Sequence, residues 1–428
     1  MNDSTAAPLT AIQRYFVLSC AILAWLLSGI HLSIPPLAAR QAVASMGVVD
    51  NAVKGRWFSW YVCAFLLGCA VGGALFGWLG DRRGRQKALG LSVLTYSLVA
   101  GACYFVTTPW QLLVMWFIAS TGVGGVWPNG VSLATETLPG ASRPLVSGVF
   151  GTAVNIGLMG MSALALKYTI SPDNWRWVMQ VAAAPSILGV IILLFMPESA
   201  AWLASRNKPG TATKHPARSV FHPPLLRWTL IGIALGTVPQ MGNWGGTNWT
   251  VPWAKQIEEQ FSIPNLGANA QWAKSCGAVI GSLTGGFLAG MLGRRTSYFL
   301  ISLISLGSSL YLFGTLKPQD DNFLRWVFLQ GIFGTIYFGW MPLYMPELFP
   351  TSVRATGTGV AFNWGRILTA VGVLMAGQLL VAFGGDYGRV GRWTCLVYIL
   401  GMVVICFAPD TTSEEWNARI ASGDSARQ

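Results

Sequence analysis

The sequence predicts an all-α membrane protein of twelve transmembrane helices in two pseudo-symmetric six-helix bundles, and three observations predict it. Of the 428 residues, 53% are apolar and only 10% charged. A soluble chain of this length needs more charge to cover its surface, so the solvent for most of this one is lipid. Apolar stretches of roughly the 20 residues that cross a bilayer core follow one another with short polar breaks. Motifs in the first half return in the second at an offset of about 210 residues, the mark of an internal duplication.

Taken in order, the stretches place spans near residues 15–35, 57–79, 88–107, 110–134, 144–170, 177–196, 228–253, 268–292, 296–316, 324–346, 355–384 and 392–408. The first is too long for a signal-peptide core and lacks a basic cluster before it, so it is expected to be retained as helix one. Between the sixth and seventh lies SRNKPGTATKHPARSVFHPP (205–224), too rich in Pro, Lys and Arg to be embedded. It divides the chain into a first bundle (1–204), a linker (205–227) and a second bundle with a short tail (228–428).

The net charge of +12 does not point to nucleic acid. Its clusters, Arg82, Arg83, Arg85 and Lys87, then Arg206, Lys208, Lys214, Arg218 and Arg227, fall on one side of the predicted membrane. Basic residues collect on the cytoplasmic side, which puts both termini in the cytoplasm of a multi-pass inner-membrane protein, although Arg40, Lys54 and Arg56 lie outside. The seven cysteines are scattered through apolar spans without metal or disulfide spacing and read as small buried hydrophobes. No cofactor or metal is implied. His31, His215 and His222 form no constellation and no phosphate-cradling loop is present, so enzyme and ATP-driven pump readings lack their parts.

The repeats are specific. GWLGDRRGRQK (77–87) is echoed by GFLAGMLGRRT (286–296), with Gly290 where the first copy has Asp81. ETLPGASR (136–143) is echoed by ELFPTSVR (347–354), and PESAAWL (197–203) more weakly by PDTTSEEW (409–416). Two parallel six-span halves joined by a cytoplasmic linker resemble the major facilitator superfamily. Residues 77–87 look like its loop G-x-L-x-D-R-x-G-R-R, with Gln86 as the departure. PESAAWL resembles the ending of sugar-porter-like members, and PELFPTSVRATGTGVAFNWGRI (346–367) resembles spans ten to eleven of metabolite and sugar-acid (sialate- and lactate-type) proton symporters.

The resemblance implies a cytoplasmic gate of Asp81, Arg82, Arg85, Glu136, Arg143, Arg294, Glu347 and Arg354. Asp81 is placed to face the N-terminal end of a helix from the other half, and Glu136 and Glu347 to pair with Arg85 and Arg294. The alternative is that these residues only set topology and cap helices. It also puts acids where this chain has Ser28 and His31, which leaves His31 as the candidate proton-coupling group or, otherwise, a packing residue.

Charge inside the spans is costly and usually functional. Arg366, about 16 Å into span eleven at 1.5 Å per residue, is the one such group recognised. It is a candidate counter-ion for an anionic substrate, its planar fork matching a carboxylate; alternatively it binds backbone carbonyls or joins the gate. Span seven, GTVPQMGNWGGTNWTVPW (236–253), interrupts a helix with Pro and Gly, tolerated at depth only where backbone lines protein or water. Gln240, Asn243, Trp244, Asn248 and Trp249 there, Trp127, Asn129 and Asn155 in the first half, and Gln271, Tyr337, Trp340 and Asn363 in the second, are the candidate cavity residues.

The expected function is secondary transport by alternating access, symport of a small organic anion such as a sugar acid or monocarboxylate with protons. A neutral-sugar or polyol carrier, a drug efflux antiporter and a transporter-like solute sensor are the alternatives. The expected partners are the small-molecule solute, protons and the lipid bilayer, with the chain working as a monomer.

Overall fold

A computed structural model describes residues 9–49, 51–137, 143–168, 170–207, 219–263 and 266–413. Backbone in hydrocarbon has no water to bond, so each segment must satisfy its own N–H and C=O groups. Helices are accordingly the sole regular secondary structure among the described residues, with no strand among them.

The first bundle comprises α1 (Ala11–Ser45), α2 (Asn51–Arg83), α3 (Arg85–Ala102), α4 (Pro109–Thr137), α5 (Arg143–Lys167), and α6 (Trp177–Ala183) with α7 (Ser186–Phe195), two parts of one span parted at Pro185. A short helix α8 (Ala200–Asn207) follows. The second bundle holds α9 (Leu225–Gln240), α10 (Thr250–Phe261), α11 (Leu266–Leu292), α12 (Arg294–Gly314), α13 (Phe323–Glu347), α14 (Arg354–Asn363), α15 (Gly365–Ala382), α16 (Tyr387–Thr394) and α17 (Val397–Phe407). α9 and α10 are one broken span, as are α14 and α15, and α16 and α17.

Ten helical stretches are long and apolar enough to cross a membrane. The other two expected spans are helical too. Span seven is broken by a π turn over Met241–Gly246 and a 3₁₀ turn over Thr247–Trp249. α13 is continuous but rich in Trp, Tyr and Pro, which lower its hydropathy. The first span outruns its expected limits, starting at a capping box in which Thr10 and Gln13 bond each other's backbone N–H. It also continues past Pro35 and ends only near Gly47, whose φ of 87° suits glycine.

Around the molecule large apolar side chains such as Phe105, Leu194, Phe195 and Phe407 are exposed, as a lipid-facing surface requires. The two bundles meet along two seams. At one, α2 packs on α14 and α15; at the other, α5 packs on α11 and α13. Since α2 and α11 are the second span of each repeat, and α5 and α14–α15 the fifth, the principal contact is made twice. Backbones come close there: a Cβ on Gly359 would lie 2.2 Å from the Gly73 carbonyl oxygen.

Candidate functional site

At one end of the first seam, the loop residues Asp81 and Arg85 are buried in a cross-bundle knot. Asp81 lies in the last turn of α2, and its two carboxylate oxygens accept from the backbone N–H of Ala355 (3.1 Å) and Thr356 (2.7 Å), the first turn of α14. A carboxylate thus meets the positive end of a helix dipole from the opposite bundle. Arg85 Nη1 lies 2.5 Å from Asp81, and Nη2 lies 3.5 Å from Glu136 while donating to the Thr351 carbonyl at 2.6 Å. Glu136 reaches across to Arg354 at 3.2 Å and accepts from the Ser199 hydroxyl at 2.5 Å.

Glu198 was not among the expected residues. Its carboxylate accepts from the backbone N–H of Arg85 (2.9 Å) and Ser199 (2.8 Å). Burial pushes its carboxyl up from the ordinary range, against those N–H groups and the Arg85 charge. Trp202, from the same PESAAWL ending, donates to the Asp81 carbonyl at 2.9 Å.

The second repeat does not mirror this knot. Arg294 binds Glu347 in a two-pronged contact (2.9 and 3.2 Å), and Glu347 accepts from Thr411 at 2.6 Å, all within one bundle. Gly290 supplies no acid to reach across. Arg82 lies outside the knot, over the Trp78 ring at 5.4 Å. The side chain of Arg143 lies outside the described residues.

Deeper along the same seam is Arg366, in the first turn of α15 and 5% exposed. Its Nε donates to Gln240 Oε1 at 3.1 Å, and its guanidinium lies 5.5 Å from the Phe65 ring and 5.4 Å from Phe362. Nη1 has no hydrogen-bond partner. Gln240 is held for this role because its amide N–H donates to the carbonyls of Gly236 (3.0 Å) and Phe362 (2.6 Å). Aromatic rings close the seam around the charge: Trp127 of α4 stacks on Phe362 at 3.9 Å, and Phe65 lies 6.3 Å from Trp244. Asn363 donates across the seam to the Gly124 carbonyl at 3.1 Å, leaving its own oxygen unpaired.

The second seam is polar without charge. Asn155 donates to Ser282 at 3.2 Å, Thr152 lies 3.1 Å from the same hydroxyl, and Ser147 donates to the Gly339 carbonyl at 2.6 Å.

Arg366, Gln240, Asn363 and Trp244 are therefore gathered at one seam, Asn155 is at the other, and Asn243 bonds Thr247 on the broken segment of span seven. Three expected residues are elsewhere. Asn129 is inside the first bundle, donating to the carbonyls of Phe76 and Gly125. Tyr337 is inside the second, bonded to Ser302 at 2.9 Å and packed against Tyr298 and Tyr398. His31 is buried in the first bundle between Tyr96 (4.4 Å) and Trp116 (6.3 Å).

Nor is Arg366 the sole charge within the spans. Lys274 of α11 is buried, and its ammonium donates to Asn248 Oδ1 at 2.5 Å. The signal for it was in the sequence, a lone cation seven residues into an apolar stretch, the same kind that marks Arg366.

A family model described as the Major Facilitator Superfamily matches residues 17–273. The chain is 30% identical over 337 residues to the cis,cis-muconate transport protein of Acinetobacter baylyi, covering 76% of this chain and 78% of that protein. It is 27% identical over 413 residues to the 3-(3-hydroxy-phenyl)propionate transporter of Escherichia coli, covering 94% and 96%. In fold it is similar to the proton:xylose symporter XylE, with a TM-score of 0.72 at 16% identity over 94% of this chain and 97% of that one. The transporter FucP in its outward conformation overlays with a TM-score of 0.70 at 15% identity, covering 92% and 99%.

Proposed function

The chain belongs to the major facilitator superfamily, and from that premise we propose that it carries small organic anions across the inner membrane by alternating access, in symport with protons. Membership makes it a multi-pass membrane transporter and not an enzyme. The substrate class is read from Arg366. A guanidinium at this depth costs at least a few kcal/mol, yet its contacts among the described residues, the Gln240 amide oxygen, the Cys69 thiol and two aromatic rings, include no carboxylate. A carboxylate is the stronger acceptor and matches the planar fork, so an organic acid completes what Gln240 only half fills.

Relatives support this class. Besides the two already described, the chain is similar to a gallate transporter of Pseudomonas putida, and to a niacin transporter and a benzoate transport protein of Acinetobacter baylyi. The knot around Asp81 acts in this reading as the cytoplasmic latch, with both termini on the cytoplasmic side.

Uptake of cis,cis-muconate, gallate, benzoate and niacin into proteoliposomes tests the proposal. At least one acid is expected to accumulate in response to an inward proton gradient, and Arg366→Gln to lower its kcat/KM by 100-fold or more while the variant stays monodisperse. The energetic basis is loss of a charge-assisted pair of about 3 kcal/mol. Undiminished anion uptake by the variant refutes the role of Arg366.

A further inference from the structure

Lys274 is the buried cation that the proposed chemistry leaves unused. Its α11 backbone is pinned against α13, since a Cβ on Gly331 would lie 2.4 Å from the Lys274 carbonyl oxygen. Its ammonium donates at 2.5 Å to Asn248, a residue exposed at the far end of the broken segment. No carboxylate lies within ion-pair distance among the described residues. Thus Lys274 and Arg366 share one feature: each is a buried cation donating to a side-chain amide oxygen, and both amides belong to span seven, although Arg366 also meets the Cys69 thiol. Gln240 and Asn248 are eight residues apart, about 12 Å or less along a helical path. Asn243 and Thr247, bonded to each other at 3.1 Å, lie between them. The Lys274 end of this polar track is the one away from the latch.

We propose that Lys274, presented by Asn248, is a capture site for the carboxylate of an incoming organic anion, one station before Arg366; this rests on the organic-anion reading of Arg366. A neutral amide keeps the ammonium oriented without neutralising it. An arriving carboxylate makes the stronger, charge-assisted bond and displaces the amide oxygen. The anion then meets Arg366 after moving along the segment between Asn248 and Gln240, where the guanidinium again has an amide to exchange for it.

The test is initial-rate uptake of the four acids by proteoliposomes of the full chain, comparing wild type, Lys274→Gln, Lys274→Arg and Asn248→Asp, with Arg366→Gln run beside them. Lys274→Gln keeps a donor for Asn248 but loses the charge. It is expected to raise KM about 10-fold with kcat within 2-fold of wild type, and to flatten the salt dependence of kcat/KM. Lys274→Arg is expected to restore KM. Asn248→Asp separates capture from scaffolding. An internal carboxylate occupies the ammonium and is expected to raise KM as Lys274→Gln does, whereas a merely structural tie would be strengthened and leave KM unchanged.

Unchanged KM in Lys274→Gln overturns the proposal. If that variant does not fold, Asn248→Asp decides, and wild-type KM there overturns it. Loss of uptake in Arg366→Gln with normal KM in Lys274→Gln and Asn248→Asp sinks the capture site alone. Failure of wild type to take up any of the four acids sinks the organic-anion reading and this inference together.

Discussion

Arg366 and His31 show how differently two polar residues at membrane depth can be housed. Arg366 is caged by Phe65 and Phe362, which face its cation with ring electrons, by the Gln240 amide oxygen and by the Cys69 thiol, and its Nη1 is left over. His31 is caged by Tyr96 and Trp116, and among the described residues it is the single imidazole within the spans. As the coupling candidate it carries a direct prediction. His31→Gln is expected to abolish the stimulation of uptake by an inward proton gradient while leaving substrate counterflow at wild-type rates. Gradient-driven uptake that survives the substitution removes His31 from the proton path.

At the scale of elements, the seams depend on backbone contact that only glycine permits. Gly359 of α14 faces the Gly73 carbonyl, and a methyl there would meet backbone oxygen at 2.2 Å and carbon at 2.9 Å. Backbone cannot swing aside as a long side chain can, so Gly359→Ala is expected to cost about 1–3 kcal/mol. The change should appear as a fall of several degrees in the thermal midpoint of the detergent-solubilised protein. Gly307→Ala is the control, because nothing lies within 4 Å of its added methyl and alanine is the better helix former; its midpoint is expected to stay level or rise. Equal midpoints for the two variants would show that the α2–α14 approach is not tight. The broken span seven follows a related logic. Its π turn leaves the regular ladder next to Gln240, where the segment turns amides toward two cations.

For the whole molecule, the consequence is an asymmetric latch on a symmetric frame. Only the first repeat carries the acid that caps a helix of the other bundle, so the proposed latch at that end consists of Asp81, Arg85 and Glu136 gathered around the start of span eleven. Asp81→Asn retains the shape but weakens the bonds to Ala355 and Thr356. Hydrogen bonds to a charged group contribute about 1.5–3 kcal/mol, so loss of about 2 kcal/mol would shift the closed-to-open ratio roughly 30-fold. A cysteine introduced at Ser147 beside the second seam, on a cysteine-free background, is expected to be alkylated from the cytoplasmic side much faster in Asp81→Asn. Gly290→Ala, at the matching place of the second repeat, is expected to leave that rate unchanged. Equal labelling of the Asp81 variant and its parent would mean that the knot does not govern opening.

Much of this was legible in the residues themselves. Hydrocarbon admits little besides apolar helices, so composition and spacing sufficed for twelve spans in two bundles. The family resemblance carried by the duplicated motifs implied a gate set that included Asp81, Arg85, Glu136 and Arg354. The direction each amide faces was not legible. Asn129 and Asn363 read alike, at similar depth in glycine-rich helices, yet one bonds inside its own bundle and the other reaches across the seam. A helix buried on most sides is apolar nearly all round, so its pattern carries depth but no azimuth. Tertiary packing alone decided which polar groups meet, and it brought Lys274 to Asn248 and Arg366 to Gln240 on one broken segment.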